Sequence, residues 1–189
     1  MASGDNRGTR KAARGTDAAT TGRSATSARI ADALGQVYDL DSAGTERLIV
    51  AGLLLRVRDL LLRELDSVLS ELGTSHAKYQ VLSIVCPEPD GVQLSEIAAR
   101  ASVHSTTMTA TIDRLVRGGL IERRADPNDR RRILAVATRD GHNLYRRAHA
   151  ELAAIEYGLS DVDSDVIKGL LEGLDNVALT FEREDAKSE

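Results

Sequence analysis

The sequence predicts a mainly α fold with a small β-hairpin wing, a winged helix-turn-helix between helical flanks. Three observations carry this. Two short amphipathic segments, 95–101 and 105–118, are joined by only three residues, Ser102 to His104. Two short helices on so tight a turn form a helix-turn-helix pattern. Two strand-like runs follow, 120–125 and 133–138, separated by a turn that carries three consecutive arginines. Long apolar stripes at helical spacing lie on either side.

Each element has its own justification. Residues 1–25 are rich in Gly, Ala, Ser, Thr and Arg. They show no apolar periodicity, a composition that cannot offset chain entropy, so they read as a flexible basic arm. Ile30, Leu34, Val37 and Tyr38 fall at helical spacing, and Asp39 to Gly44 reads as a break. From Leu48 to Leu72, a stripe of Val50, Leu53, Leu54, Val57, Leu61, Leu65, Val68 and Leu72 predicts a long amphipathic helix. Gly73 stops it. Ser75 is an N-cap for a helix through Val85, and Pro87, Pro89, Asp90 and Gly91 make a turn. Ile97, Ala98 and Ala101 face inward on the next segment, and Met108, Ile112, Leu115 and Val116 on the one after it. Gly119 ends that helix. The hairpin turns at Asp126-Pro127-Asn128-Asp129 and carries Arg130, Arg131 and Arg132. Leu144, Tyr145, Ala148, Leu152 and Ile155 stripe a further helix; Val162, Val166, Leu170, Leu174, Val177 and Phe181 stripe the last. Ser160 with Asp163 reads as its capping box. The boundaries that follow are 1–25 for the arm, 26–72 for the N-terminal helices, 73–139 for the winged helix-turn-helix and 140–189 for the C-terminal helices.

Composition bounds the function. The chain has 189 residues, a formal net charge of −4 and one cysteine. A single cysteine, Cys86, excludes an internal disulfide framework and points to a reducing, cytoplasmic setting. The apolar run Leu48 to Leu55 is too short to span a bilayer, so no membrane partner is expected. Net charge alone argues against nucleic acid, but its distribution reverses that inference. Residues 97–139 hold nine arginines and four acids, whereas residues 140–189 hold five basic and twelve acidic residues. Residues 1–30 carry six basic and two acidic residues; residues 31–96 carry five and eleven. The basic charge sits in the arm and in the segment that holds the second short helix and the hairpin, as a local anion-binding surface would require.

A helix-turn-helix followed by a hairpin suits duplex DNA. The second helix fits a major groove about 12 Å wide and reads base edges with its N-terminal residues. Those residues are Ser105, Thr106, Thr107 and Thr109. Short hydroxyl side chains allow close backbone approach and phosphate bonding, and threonine offers a methyl to thymine. The hairpin arginines, Arg130, Arg131 and Arg132, would reach the adjacent minor groove. Asp129 is placed to hold Arg131 by a charge-assisted hydrogen bond. Arg114 suits either a phosphate contact or an ion pair with Glu96.

The stretch DRLVRGGLIERRADPNDRRRILAVAT, residues 113–138, resembles the core signature of the multiple-antibiotic-resistance (MarR) regulators. That signature runs DRL-x3-GL-(I/V)-x-RR-x-DPxDRR and then a strand ending in LT; here Ala137 replaces the leucine. The likeness extends more weakly over Leu48 to Phe181. It implies a homodimer whose first and last helices form a helical dimerisation region, with two winged helices spaced for a pseudo-palindromic operator. It further implies ligand-responsive transcriptional control, and the leading reading is a repressor released by a small-molecule effector. Carried over, Asp129 and Arg131 match the family's wing pair, and Thr106, Thr107 and Thr109 match recognition-helix contacts. Ala110 departs, since many members place arginine or asparagine there. The segment Ala28 to Tyr38 is similar to the extra N-terminal helix of the urate-responsive branch. Leu34 and Gln80 stand where that branch places its tryptophan and aspartate, so urate is not expected.

Other residues have two readings each. Tyr38, Tyr79 and Gln80 would line an effector pocket or pack with a bonded hydroxyl. Cys86 would be a peroxide sensor only if cations or a helix N-terminus lowered its pKa, and it sits at a helix C-terminus beside Glu88. His142 and His149 stand two helical turns apart, about 10.5 Å, too far to share a metal unaided. No GxSxG, HExxH or glycine-rich phosphate loop occurs, so neither an enzyme nor a cofactor is expected. The sequence thus points to a dimeric, sequence-specific DNA-binding transcriptional regulator. A winged-helix module for protein–protein contact is the alternative.

Overall fold

The computed structural model describes residues 41–101, 105–129 and 131–185. Helix α1 spans Ser42–Glu71, α2 His76–Val85, strand β1 Val92–Gln93, α3 Leu94–Arg100 and α4 Ser105–Arg117. Strands β2, Ile121–Ala125, and β3, Ile133–Ala137, follow, then α5, Arg139–Ala154, a 3-10 turn, Glu156–Gly158, and α6, Ser164–Asp185. The expected helix-turn-helix, hairpin and flanking helices are all present. The arm, the predicted helix at 28–38 and the 102–104 turn lie outside the described residues.

The chain divides into two compact units, Met1–Leu55 and Arg56–Glu189. The first contributes the N-terminal half of α1. That helix starts earlier than its apolar stripe suggests, because Asp41 caps it. The Asp41 carboxylate accepts the Gly44 N–H at 2.6 Å, and its carbonyl accepts the Thr45 N–H at 3.0 Å. The break expected at 39–44 is therefore corrected to a helix start at Ser42.

The second unit holds the winged helix. Val81, Leu82 and Val85 of α2, Ile97 of α3, and Met108, Ile112 and Leu115 of α4 meet Val92, Ile121 and Ala135 of the sheet in one buried cluster. The i, i+4, i+7 spacing of the α4 trio turns one stripe inward and leaves the opposite face to solvent. Helix α2 has its N-terminus satisfied from outside. Ser75 makes no side-chain cap bond, and the Asp66 carboxylate of α1 accepts the His76 N–H at 2.6 Å.

The sheet has three antiparallel strands in the order β1-β3-β2. Ile121 pairs with Ala137 and Ala125 with Ile133 across the hairpin; Val92 pairs with Ala135 on the other side of β3. The two-residue β1 carries too little pattern to be read from sequence. Its position requires Gly91, whose φ is +89° and where a Cβ would meet Val136 Cγ2 at 2.7 Å and the Ala135 carbonyl oxygen at 2.9 Å.

A second cluster joins Leu65 and Leu69 of α1 to Ala148 and Leu152 of α5. The first turn of α5 is fixed to the α4–β2 junction. The Thr138 hydroxyl donates to the Gly119 carbonyl at 2.7 Å and accepts the Gly141 N–H at 3.0 Å. The start of α6 differs from expectation: Asp163, not Ser160, caps it, its carboxylate accepting the Asp165 N–H at 2.8 Å. Among the described residues no helix is long and apolar enough to cross a membrane.

Candidate nucleic-acid interface

The outward face of α4 is built from short side chains. Thr107, Thr109 and Ala110 are exposed, while Met108, Thr111 and Ile112 turn inward. The Thr111 hydroxyl donates to the Thr107 carbonyl at 3.1 Å, so its polar atom is satisfied within the helix. The side chains of Ser105 and Thr106 lie outside the described residues. Arg114 is exposed. Its alternative partner, Glu96, is instead engaged by Arg100, which also reaches Glu88 at 3.0 Å. These carboxylates hold the Arg100 charge locally, chiefly through the hydrogen bond to Glu88.

Sequence reasoning did not single out the tie between α4 and the wing. Arg123 of β2 donates to the Asp113 carboxylate of α4 at 2.6 Å. Both side chains are about half exposed, so the pair's value is orientation more than stability. The motif places an aspartate and two arginines ten residues apart, but only the hairpin's register shows that Arg123 is the partner. Arg124 pairs with Glu122 at 2.6 Å on the same strand.

The wing tip is locally organised. The buried Asp126 accepts the Asn128 N–H at 2.8 Å, and its own N–H donates to the Arg132 carbonyl at 3.0 Å. Asp129 then gathers the arginines. Its carboxylate accepts the Arg131 N–H and Nε at 3.1 Å each and lies 3.4 Å from Arg132 Nε. These bonds, the Arg131 side chain's first, hold the Asp129 carboxyl below the usual carboxylate range. The Arg131 side chain is nonetheless 91% exposed. An aspartate thus orients a guanidinium that projects into solvent, as a phosphate or groove contact requires. Arg130 lies outside the described residues.

The remaining candidates are placed as follows. Tyr79 of α2 stacks on Tyr145 of α5 at 5.8 Å, and Tyr145 on His149 at the same spacing. The hydroxyls of Tyr79 and Tyr157 both lie 3.1 Å from His149 Nδ1. Burial, with Tyr145 and Tyr157 adding, pushes the Tyr79 phenol up to about 12. The Gln80 amide donates to the Ala101 carbonyl at 3.2 Å and clips the end of α3 to α2. Tyr38 lies outside the described residues. Cys86 is half-buried at the end of α2, where burial pushes its thiol up to about 11, away from the thiolate a sensor needs. Among the described residues no group of His, Cys, Asp and Glu is arranged to hold a metal.

Comparison with known proteins places this geometry in a family. The sequence profile of the MarR family matches residues 75–133. The HTH-type transcriptional regulator PecS of Dickeya dadantii is 30% identical over 115 residues, covering 60% of this chain and 68% of PecS. Among solved structures, the MarR family regulator Sco5413 of Streptomyces coelicolor superposes with a TM-score of 0.68 at 28% identity, covering 74% of this chain and 98% of that one. CouR of Rhodococcus jostii RHA1, bound to p-coumaroyl-CoA, superposes with a TM-score of 0.62 at 28% identity, covering 68% and 91%.

Proposed function

The chain belongs to the MarR family and is a DNA-binding transcriptional regulator, and from that premise we propose a homodimeric repressor that reads a pseudo-palindromic operator and is released by a small molecule. The observation that carries the DNA contact is the wing tip, where Asp129 orients an arginine that stands 91% exposed. The exposed threonines of α4 supply the groove-facing surface, and Thr106, Thr107 and Thr109 are its base-edge and phosphate contacts, with Ser105 and Arg114 beside them. Arg130, Arg131 and Arg132 serve the flanking groove.

Dimerisation is supported by apolar surface that a monomer would leave wet. On α6, Val166, Leu170, Leu171, Leu174, Val177 and Phe181 are between 41% and 70% exposed. Along α1, Leu53, Leu54, Val57 and Leu60 are between 37% and 53% exposed. Contiguous exposure of this kind marks an interface. The effector reading draws on CouR, whose structure holds an acyl-CoA.

The test is binding to duplex from the regulated promoter at several salt concentrations. Binding should weaken steeply with salt, and Arg131→Ala should flatten the dependence by about one unit of slope. Salt-independent binding, or an unchanged slope in the variant, contradicts the reading.

A further inference from the structure

The side chains of α4 decide which base edges the interface can read. Its first two turns, Ser105 to Ile112, contain no arginine, lysine, asparagine, glutamine, aspartate or glutamate. Guanine is read by a bidentate pair from arginine or lysine, adenine by one from asparagine or glutamine, and the cytosine amino group by a carboxylate. The N-terminal part of this helix makes none of these pairs. It offers methyl groups instead. Thr107 and Ala110 are exposed and stand three residues apart, on one face. Met108 and Ile112 are buried in the core on the other side. Arg114 and Arg117 are the exposed residues that continue the Thr107 face. Arg114 lies about 6 Å farther along the helix axis than Ala110, toward the end that leaves the groove, where phosphates lie.

This face is fixed in orientation. The Asp113 carboxylate accepts from Arg123 of β2 at 2.6 Å, and the Thr111 hydroxyl donates to the Thr107 carbonyl at 3.1 Å. Thr107 and Ala110 project little beyond the backbone, so the helix must approach the bases closely to touch them. The base-edge group that meets a methyl favourably in the major groove is the C5-methyl of thymine. We propose that α4 reads the C5-methyl of a pyrimidine through Thr107 and Ala110, so that the bases beneath it centre on thymine and no guanine is required there. The proposal rests on the DNA-contact reading above and names the base chemistry this site recognises. The same methyl is carried by 5-methylcytosine, so methylation of a cytosine at the contacted step strengthens binding rather than blocking it. The wing favours the same base pairs by independent means: Arg131, held by Asp129 and 91% exposed, suits the narrow minor groove of A·T-rich DNA.

The test selects duplexes for the full chain from a random-sequence pool. Each thymine of the selected site is then replaced by deoxyuridine, one at a time, and affinity is read by fluorescence anisotropy. Deoxyuridine lacks only the methyl. At one thymine or more the loss should be about fourfold, the scale of one buried methyl. At that step a 5-methylcytosine duplex should bind tighter than the cytosine duplex by a similar factor. Thr107→Ser with Ala110→Gly removes both methyls and should erase the thymine-to-uracil ratio. Thr107→Val removes the hydroxyl, keeps a methyl and should preserve the ratio. Each ratio compares two duplexes on one protein, so a partial folding defect cancels. A selected site with no methyl-dependent thymine overturns the proposal. So does a dominant loss on 7-deazaguanine that Arg114→Ala removes, because the helix would then be reading guanine. Enrichment of no sequence overturns both the proposal and the reading it rests on, whereas enriched but methyl-indifferent binding overturns the proposal alone.

Discussion

Arg131 is 91% exposed and yet anchored, because Asp129 accepts from both its backbone and its guanidinium. Orientation of a projecting cation lowers the entropy lost when it meets a phosphate. Asp129→Asn should therefore weaken duplex binding several-fold while the melting temperature stays within a degree or two, because the site lies on the surface. The sign with pH follows from the lowered Asp129 carboxyl. Its contribution is fully present above the ordinary carboxylate value and is lost as pH falls through the lowered one. Wing order, followed by NMR of the Arg131 Nε–H, should persist at pH 5 and disappear in stronger acid. The Tyr79 phenol behaves oppositely. Raised to about 12, it contributes stability that is complete below about pH 10 and is lost as pH rises through about 12. A spectrophotometric titration should show a phenol ionising near pH 12 that Tyr79→Phe removes. Gly141 sets a third limit. A Cβ there would stand 2.1 Å from the Leu120 carbonyl oxygen, a backbone atom that cannot step aside. Gly141→Ala should cost about 2 kcal/mol or more in denaturant unfolding.

At the scale of elements, period and punctuation carried far. The 3.6-residue spacing of Met108, Ile112 and Leu115 located α4, and these side chains are buried together. The dipeptide turn Asp126-Pro127 located the wing. What escaped were pairings between distant segments. β1 is two residues long and exists only because β3 has a free edge beside Val92. The cap of α2 comes from Asp66, ten residues earlier on another helix, and no local pattern encodes it. The turn at Glu156–Gly158 has no sequence signature, since two of its three left-handed residues are not glycine. In the site, Asp129 and Arg131 were legible because they are two residues apart. The Asp113–Arg123 tie was not, because it needs the hairpin register. A double-mutant cycle on Asp113→Ala and Arg123→Ala, read in duplex affinity, should show coupling of about 0.5 kcal/mol or more, whereas unfolding free energies should be nearly additive.

For the molecule as a whole, charge and apolar surface are divided between jobs. The segment 97–139 is basic although the chain is acidic, and residues 140–189 carry twelve acids against five basic residues. In the proposed DNA-bound reading, acidic flanking segments disfavour non-specific contact, and the basic segment orients the approach to DNA. The apolar surface of α6 gives the second job. On the proposed homodimer, Leu174→Glu, at a position 44% exposed, should give a monomer in sedimentation where the wild type sediments as a dimer, while leaving the winged-helix core folded. If the proposed pseudo-palindromic operator is read by two copies, that variant should lose duplex affinity far more than any single wing substitution does. The most direct test of the central claim is the salt dependence of duplex binding in wild type and Arg131→Ala, measured side by side. The account predicts a steep slope for the wild type and one shallower by about one unit for the variant. Identical slopes would contradict it, because they would show that the exposed, aspartate-held arginine meets no phosphate.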